Sequence, residues 1–80
     1  MIKIEVGKRY KFRVSRERWP TITYVENYQG YIITIEDEYG DKLSYLMGHC
    51  IITTKVLQIY KFHNGNYRIR VSKDSIKQLK

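Results

Sequence analysis

Basic side chains recur at alternate positions in two parts of this 80-residue sequence. Lys11 and Arg13 lie in the first part, and Lys61, Arg68 and Arg70 lie in the second. Alternate residues of a β-strand point to the same face, so Lys11 and Arg13 share one face of their strand, and Arg68 and Arg70 share one face of theirs. Lys61 lies on the partner strand of a hairpin, opposite Arg68. Arg forms bidentate contacts with phosphate, and Lys supplies a compact positive charge. These residue types at this spacing predict binding of a phosphate-bearing polyanion.

A polar segment after the first of these strands adds an aromatic ring to the cations. It contains Arg16, Arg18 and Trp19 in the stretch "SRERWP". A Trp ring beside Arg side chains stacks on a nucleobase or anchors a protein partner. The alternative is that Trp19 folds inward and closes one end of the domain, because its ring buries a large apolar area.

The charge distribution favours an anionic partner. The formal net charge is +7. Residues 1–19 carry seven Lys or Arg and two Glu, residues 20–50 carry one Lys and five acids, and residues 51–80 carry seven Lys or Arg and one Asp. The two ends are therefore basic and the middle is acidic. This bias suits nucleic acid, DNA or RNA, or an acidic protein surface, and the alternative is a solvated face without a ligand.

The other reactive residues predict neither a catalytic set nor a cofactor. His49 and Cys50 are adjacent, and neighbours on an extended strand point to opposite faces, so this His cannot serve as the base for this Cys. One Cys and two His are too few for a structural zinc site. The acids at 36–38 predict a solvated turn, with cation binding by Asp37 and Asp41 as the alternative. We infer no enzyme.

The composition favours β structure in a single domain spanning 1–80. The chain has eight tyrosines and eleven isoleucines, and it lacks alanine, the strongest helix former. A chain of this length holds one hydrophobic core. No apolar run approaches the roughly 18 residues of a membrane span, and Cys50 cannot form an internal disulfide. A cytoplasmic, reducing location is therefore expected.

Alternating hydrophobicity predicts five or six short strands. The first strand is predicted over 8–14, and a loop that contains a proline follows over 15–20. Residues 21–36 predict either one bent strand or two short strands. Gly40 supplies the positive φ of the next reversal, and residues 43–47 predict a returning strand.

The dipeptide Asn64-Gly65 predicts the closing hairpin. It lies between two alternating runs and is the preferred sequence of a two-residue type I′ turn. In the register that such a turn sets, Phe62 faces Tyr67 on the core side. Lys61 faces Arg68 on the basic side, where like charges oppose each other at some cost in stability. An anion that bridges the two side chains would offset that cost.

The order of elements resembles the SH3-like small barrels. A loop after the first strand, an acidic central hairpin and a closing hairpin carry the resemblance. The fold class is therefore predicted as an all-β, small SH3-like (or OB-like) barrel of five to six antiparallel strands with a short C-terminal helical turn. Because the first and last strands of SH3-like barrels are neighbours, the resemblance implies one patch formed by Lys11, Arg13, Lys61, Arg68 and Arg70.

The sequence-based hypothesis is a non-catalytic barrel that binds nucleic acid with low sequence specificity. The alternative is a protein-interaction module or inhibitor, encoded by a virus or mobile element, that docks on a host protein. Weak self-association through the acidic and basic regions is a third reading. The candidate binding residues are Lys11, Arg13, Arg16, Arg18, Trp19, Lys61, Arg68 and Arg70.

Overall fold

A computed structural model describes residues 2–17, 22–43, 46 and 48–79 of the chain. Most of these residues lie in β-strands. The strands are β1 (Arg9–Glu17), β2 (Ile22–Tyr28), β3 (Tyr31–Asp37), β4 (Cys50–Lys61), β5 (Tyr67–Val71) and β6 (Lys77–Leu79), and a single turn of 3-10 helix spans Lys73–Ser75.

Five strands close into a barrel in the order β1-β2-β3-β5-β4, with β4 pairing back onto β1. The prediction of a small all-β barrel is confirmed. One pair differs from the prediction, because β3 and β5 are parallel. The strands alternate in direction along the chain, so two odd-numbered strands that become neighbours must run the same way. In this order β1 does not pair with β5.

Strand β1 is longer than predicted because it changes partners halfway along. Its first half pairs with β4, and from Val14 onward it pairs with β2. Ser15 and Arg16 lie opposite Tyr24 and Thr23, so part of the predicted loop at 15–20 belongs to the strand. The second partner supplies ladder hydrogen bonds where the alternating pattern ends. Glu17 also belongs to the strand, and residues 18–20 of that predicted loop lie outside the described residues.

β2 and β3 are two separate strands, as one of the two sequence-based alternatives had it. A bulge near the end of β2 and a tight turn after it redirect the chain. Asn27 has a φ of 47° and marks a register shift in the ladder. Tyr28 pairs with Tyr31, and both residues between them have positive φ, 51° at Gln29 and 80° at Gly30. Positive φ at both central positions is the signature of a type I′ turn.

The β4–β5 hairpin has a three-residue loop in place of the predicted two-residue turn. The Phe62 N–H donates to the Asn66 carbonyl at 2.8 Å, and the Gly65 N–H donates to the Phe62 carbonyl at 3.1 Å. Gly65 has a φ of 88°, whereas Asn64 is not among the residues with positive φ. This is a type I turn followed by a left-handed glycine, the common three-residue loop. The type I′ prediction was therefore wrong.

The longer loop moves the predicted pairing by one residue. Lys61 lies opposite Tyr67, and Tyr60 lies opposite Arg68. A shift of one residue exchanges the faces of a strand, so Phe62 is 40% exposed and does not join the core. The predicted pairing of Lys61 with Arg68 does not occur.

Gly65→Ala should lower the free energy of unfolding by about 1–2 kcal/mol, because an L-residue pays that penalty in the left-handed conformation. A side chain here meets no atom within 4 Å, so the loss isolates backbone strain. Gly65→Asn should lose less, since Asn tolerates this conformation. Urea unfolding of the three proteins measures both values. Equal losses for Ala and Asn would contradict the assignment.

The acidic reversal at 37–41 is built around one buried carboxylate. Gly40 has a φ of 82°, as predicted, and its N–H donates to the Asp37 carbonyl at 3.1 Å. The Asp37 side-chain oxygen Oδ1 accepts the N–H groups of Tyr39 and Asp41, both at 2.9 Å. This carboxylate holds the turn and is buried, in contrast to the predicted solvated tip. The described residues contain no cluster of three metal-ligating side chains.

Residues outside the strands complete the core. Ile2 and Ile4, before β1, are buried with the inward-facing strand residues. Leu43 and Leu46 are also buried, but neither lies in a strand, and the Leu46 N–H donates to the Leu43 carbonyl at 3.2 Å. The strand predicted over 43–47 is therefore wrong at these two positions.

The C-terminal segment extends the edge of the barrel. The predicted helical turn is present as the 3-10 turn, and β6 follows it and pairs with β4. Ser72 and Ser75 both bond to the backbone of Lys55, at 3.0 and 2.9 Å, so the turn bridges the gap between β5 and β6. Among the described residues, no helix has the length and apolar character to cross a membrane.

Candidate functional site

The barrel divides the predicted cationic patch between different strands. Lys11 and Arg13 project from β1, whereas Arg68 and Arg70 project from β5, and β4 lies between these strands. β4 pairs with β1 through its first half and with β5 through its second half. The prediction that these residues form one patch with Lys61 was therefore wrong. It depended on a contact between the first and last strands that this barrel does not make.

Arg68 and Arg70 share a carboxylate from the parallel strand β3. Glu36 lies in register with Arg70, and its Oε1 is 3.0 Å from the Arg70 Nη2 and 3.1 Å from the Arg70 Nε. The same oxygen is 3.4 Å from the Arg68 Nε. The Glu36 side chain is only 12% exposed, so solvent screens these contacts weakly.

Aromatic rings cover the two guanidinium groups. The Arg68 Cζ lies 4.8 Å from the Tyr60 ring centroid and 5.4 Å from the Phe62 centroid, and the Arg70 Cζ lies 5.6 Å from the Tyr60 centroid. Such cation–π contacts add to the ion pairs with Glu36. An internal carboxylate and two rings thus offset the repulsion between these arginines. A phosphate at this position would have to displace Glu36.

A second group of cations lies on the outer surface of β1, β4 and β6, and we call it the basic face. Arg9 lies opposite Lys55 in the β1–β4 ladder, and Lys11 and Lys77 flank Thr53 of β4 from its two sides. With strands about 4.8 Å apart, the face measures roughly 10 by 14 Å. Its members are Arg9, Lys11, Arg13, Lys55 and Lys77, all exposed.

Within the described part of the chain, no carboxylate pairs with any side chain of the basic face. The Arg9 Nη1 donates to the Ser75 carbonyl at 3.4 Å, which fixes one guanidinium at its edge. Two predicted residues, Lys11 and Arg13, lie on this face. Alternation placed Arg9 on the same side of the first strand as Lys11 and Arg13, but Arg9 was not among the candidate residues. Lys55 and Lys77 were missed, because only the strand register shows that they are neighbours of this group.

Two further candidate residues, Lys61 and Arg16, lie apart from the basic face. Lys61 is exposed at the end of β4. Arg16 is half-buried in β1, and Arg18 and Trp19 lie outside the described residues.

Cys50 lies half-buried at the start of β4, next to a surface hydrogen bond between His49 and Glu26. The His49 Nδ1 is 2.6 Å from the Glu26 Oε1, so this ring contacts a carboxylate. Burial raises the pKa of the Cys50 thiol above its ordinary value, and the Glu26 charge raises it further. These contacts do not activate the thiol as a nucleophile.

Cys50 should react with iodoacetamide more slowly in the folded protein than in urea at about pH 8.5, near the ordinary thiol pKa. The raised pKa leaves less thiolate in the folded state. The protonated thiol therefore favours the folded state below the unfolded pKa, and this contribution is lost as pH rises through the folded pKa. Mass spectrometry of alkylated protein over time measures the rates. Faster reaction in the folded state would contradict the assigned direction.

Two adjoining grooves lie over β2 and β3. Both are lined by Ile22, Ile32 and Thr34, and their volumes are about 410 and 420 Å³. The first groove continues to the β4–β5 hairpin, where Phe62 and Arg68 contribute to its wall. Its apolar lining distinguishes it from the basic face, and no sequence pattern indicated it.

Comparisons of this chain with protein-family models, with curated proteins and with solved structures find no match.

Proposed function

We propose that this protein binds nucleic acid by contacting phosphates with the basic face. The observation that carries the proposal is the clustering of five exposed cations on three adjacent strands, none paired with a carboxylate among the described residues. When unpaired surface cations neutralise phosphates, the counterions condensed on the nucleic acid are released. This release drives binding without sequence preference. Since phosphate contacts position a protein without reading bases, we expect low sequence specificity.

The contrast with Arg68 and Arg70 strengthens this assignment. Those arginines already have an anion, Glu36, within 3.4 Å. Lys11 and Arg13 have none among the described residues, so a phosphate can approach them without displacing a protein group. The basic face is therefore the better candidate for contact with a polyanion.

A protein-interaction module is the second candidate. Ile32 and Phe62 are large apolar side chains that are 59% and 40% exposed, and both line the groove over β2 and β3. Exposed apolar patches are a common feature of protein-binding surfaces. A partner that remains bound to immobilised protein after nuclease treatment would support this candidate.

The proposed function is tested by fluorescence anisotropy with labelled oligonucleotides of DNA and RNA, single- and double-stranded. Titrations at about 50 and 200 mM salt should show saturable binding that weakens steeply as salt rises. The absence of binding at the lower salt concentration would overturn the proposal.

A further inference from the structure

We propose that the first of the two grooves over β2 and β3, the one that Phe62 lines, accepts unstacked nucleobases. The protein would then prefer single-stranded to double-stranded nucleic acid. This inference rests on the proposed function and adds to it. The basic face explains affinity for phosphates of either form. The groove would supply contacts that only an unpaired strand can make, because the bases of a duplex are stacked inside it.

The walls of the groove are suited to a flat apolar ligand. Ile32 is 59% exposed near the start of β3, and Phe62 is 40% exposed at the end of the β4–β5 ladder. Each groove has the volume of a small-ligand site, which runs from about 300 to 1,000 Å³. Aromatic rings stack on any nucleobase, since every base has a π face.

Polar groups around the first groove can bond to the edge of a base. The Asn64 Oδ1 accepts the Asn66 N–H at 3.0 Å, which leaves the Asn64 side-chain NH₂ group to donate outward. Tyr67 also lines this groove, and it is only 4% exposed. Its hydroxyl is buried and has no hydrogen-bond partner among the described residues. Because this hydroxyl is closed to solvent, it does not supply a contact to a ligand in the groove.

The charges around the groove favour a ligand that carries phosphate. Lys42 contributes an exposed cation to its lining. Arg68 also lines the groove, but it is already paired with Glu36, the one carboxylate among the described lining residues. An uncharged apolar peptide would gain nothing from the Lys42 charge, whereas a nucleotide brings one phosphate with each base.

Strand β1 connects the groove to the basic face. Its first half carries Lys11 and Arg13 and pairs with β4, and its second half pairs with β2, which lines the groove. The basic face includes β1, and the groove includes β2, which is the neighbour of β1 in the barrel. A nucleic acid whose phosphates contact the basic face therefore has the groove on the adjacent β-strand.

The test uses the intact protein with three probes: a single-stranded oligonucleotide, a duplex of the same length, and an abasic strand with the same number of phosphates. Phe62→Leu removes the flat ring and keeps an apolar side chain. Tyr39→Leu is the matched control, because Tyr39 is 76% exposed at the tip of another hairpin and does not line the groove. Phe62→Tyr retains a ring and serves as the conservative variant. Circular dichroism establishes that each variant is folded.

We expect wild-type protein to bind the single strand about tenfold more tightly than the abasic strand, from stacking of one base. Phe62→Leu should abolish this difference without changing the salt dependence, whereas Tyr39→Leu and Phe62→Tyr should retain it. Equal affinity of the wild type for the normal and abasic strands would overturn the inference and leave the proposed function intact. Failure to bind any of the three probes would overturn both. Loss of the difference in Tyr39→Leu as well would also overturn the role of the groove.

Discussion

Replacing Lys11 and Arg13 with Ser should weaken binding to a single-stranded oligonucleotide at least about tenfold at about 50 mM salt. Both side chains are exposed on the basic face and have no carboxylate partner among the described residues. Each phosphate contact contributes about 0.7 to 0.9 to the slope of log affinity against log salt, so the slope should fall by between about one and two. Anisotropy titrations over a range of salt concentrations measure both quantities.

The matched control for this double variant is Lys3→Ser with Lys8→Ser. It removes the same charge from side chains that are also exposed but lie outside the basic face, and Lys8 is already paired with Glu5. We expect the control to keep most of the wild-type salt slope. If both double variants lose the same affinity and the same slope, net charge alone drives binding, and the basic face is not the site.

Replacing Glu36 with Gln should lower the free energy of unfolding by about 2 kcal/mol. Loss of one partner from a buried ion pair costs about 3–5 kcal/mol, and solvent reduces the value here because the two arginines are partly exposed. Without the carboxylate, Arg68 and Arg70 repel each other on neighbouring positions of one face. Urea unfolding measures the loss.

The same substitution should strengthen polyanion binding. Once Glu36 is neutral, the two arginines become available to an external phosphate, and the salt slope should steepen by about one to two. Glu38→Gln is the matched control: it makes the same change in charge two residues away, where Glu38 accepts only the Lys73 N–H among the bonds described. A loss of stability no larger than that of Glu38→Gln would contradict the role assigned to Glu36.

A double variant separates these effects. In Glu36→Gln combined with Arg70→Gln, one cation and one anion are removed together, so the repulsion with Arg68 is relieved. We expect the double variant to lose less free energy of unfolding than the sum of the losses in the two single variants, because the effects of substitutions at contacting residues are not additive. Additive losses would mean that the two side chains act independently, despite their separation of 3.0 Å.

The sequence alone determined the local features of the protein. Strict alternation in β1 placed Lys11 and Arg13 on the outside and Phe12 and Val14 in the core, as the barrel has them. The predominance of β-strands and the reversal at Gly40 followed in the same way. These features depend on period-two side-chain geometry and on single-residue backbone preferences, which a short stretch of chain expresses without help from distant residues.

The loops show where local preference stopped being sufficient. Asn64-Gly65 is favoured for a type I′ turn, but the structure uses that turn at Gln29-Gly30 and a three-residue loop at 63–65. Either loop is compatible with the dipeptide, and the packing of the flanking strands selects between them. That one-residue difference moved Phe62 from the core to the surface, where it lines the groove.

Tertiary structure alone decided which charges are neighbours. Glu36 and Arg70 are 34 residues apart in sequence, and they meet because β3 and β5 lie side by side in parallel. Lys55 and Lys77 join Lys11 through pairing of β4 with both β1 and β6. A strand's pattern shows which side chains point outward, but it does not encode which strand comes next to it. The chain therefore specified a set of outward-facing cations, and the order of strands around the barrel determined which of them are already paired and which face solvent.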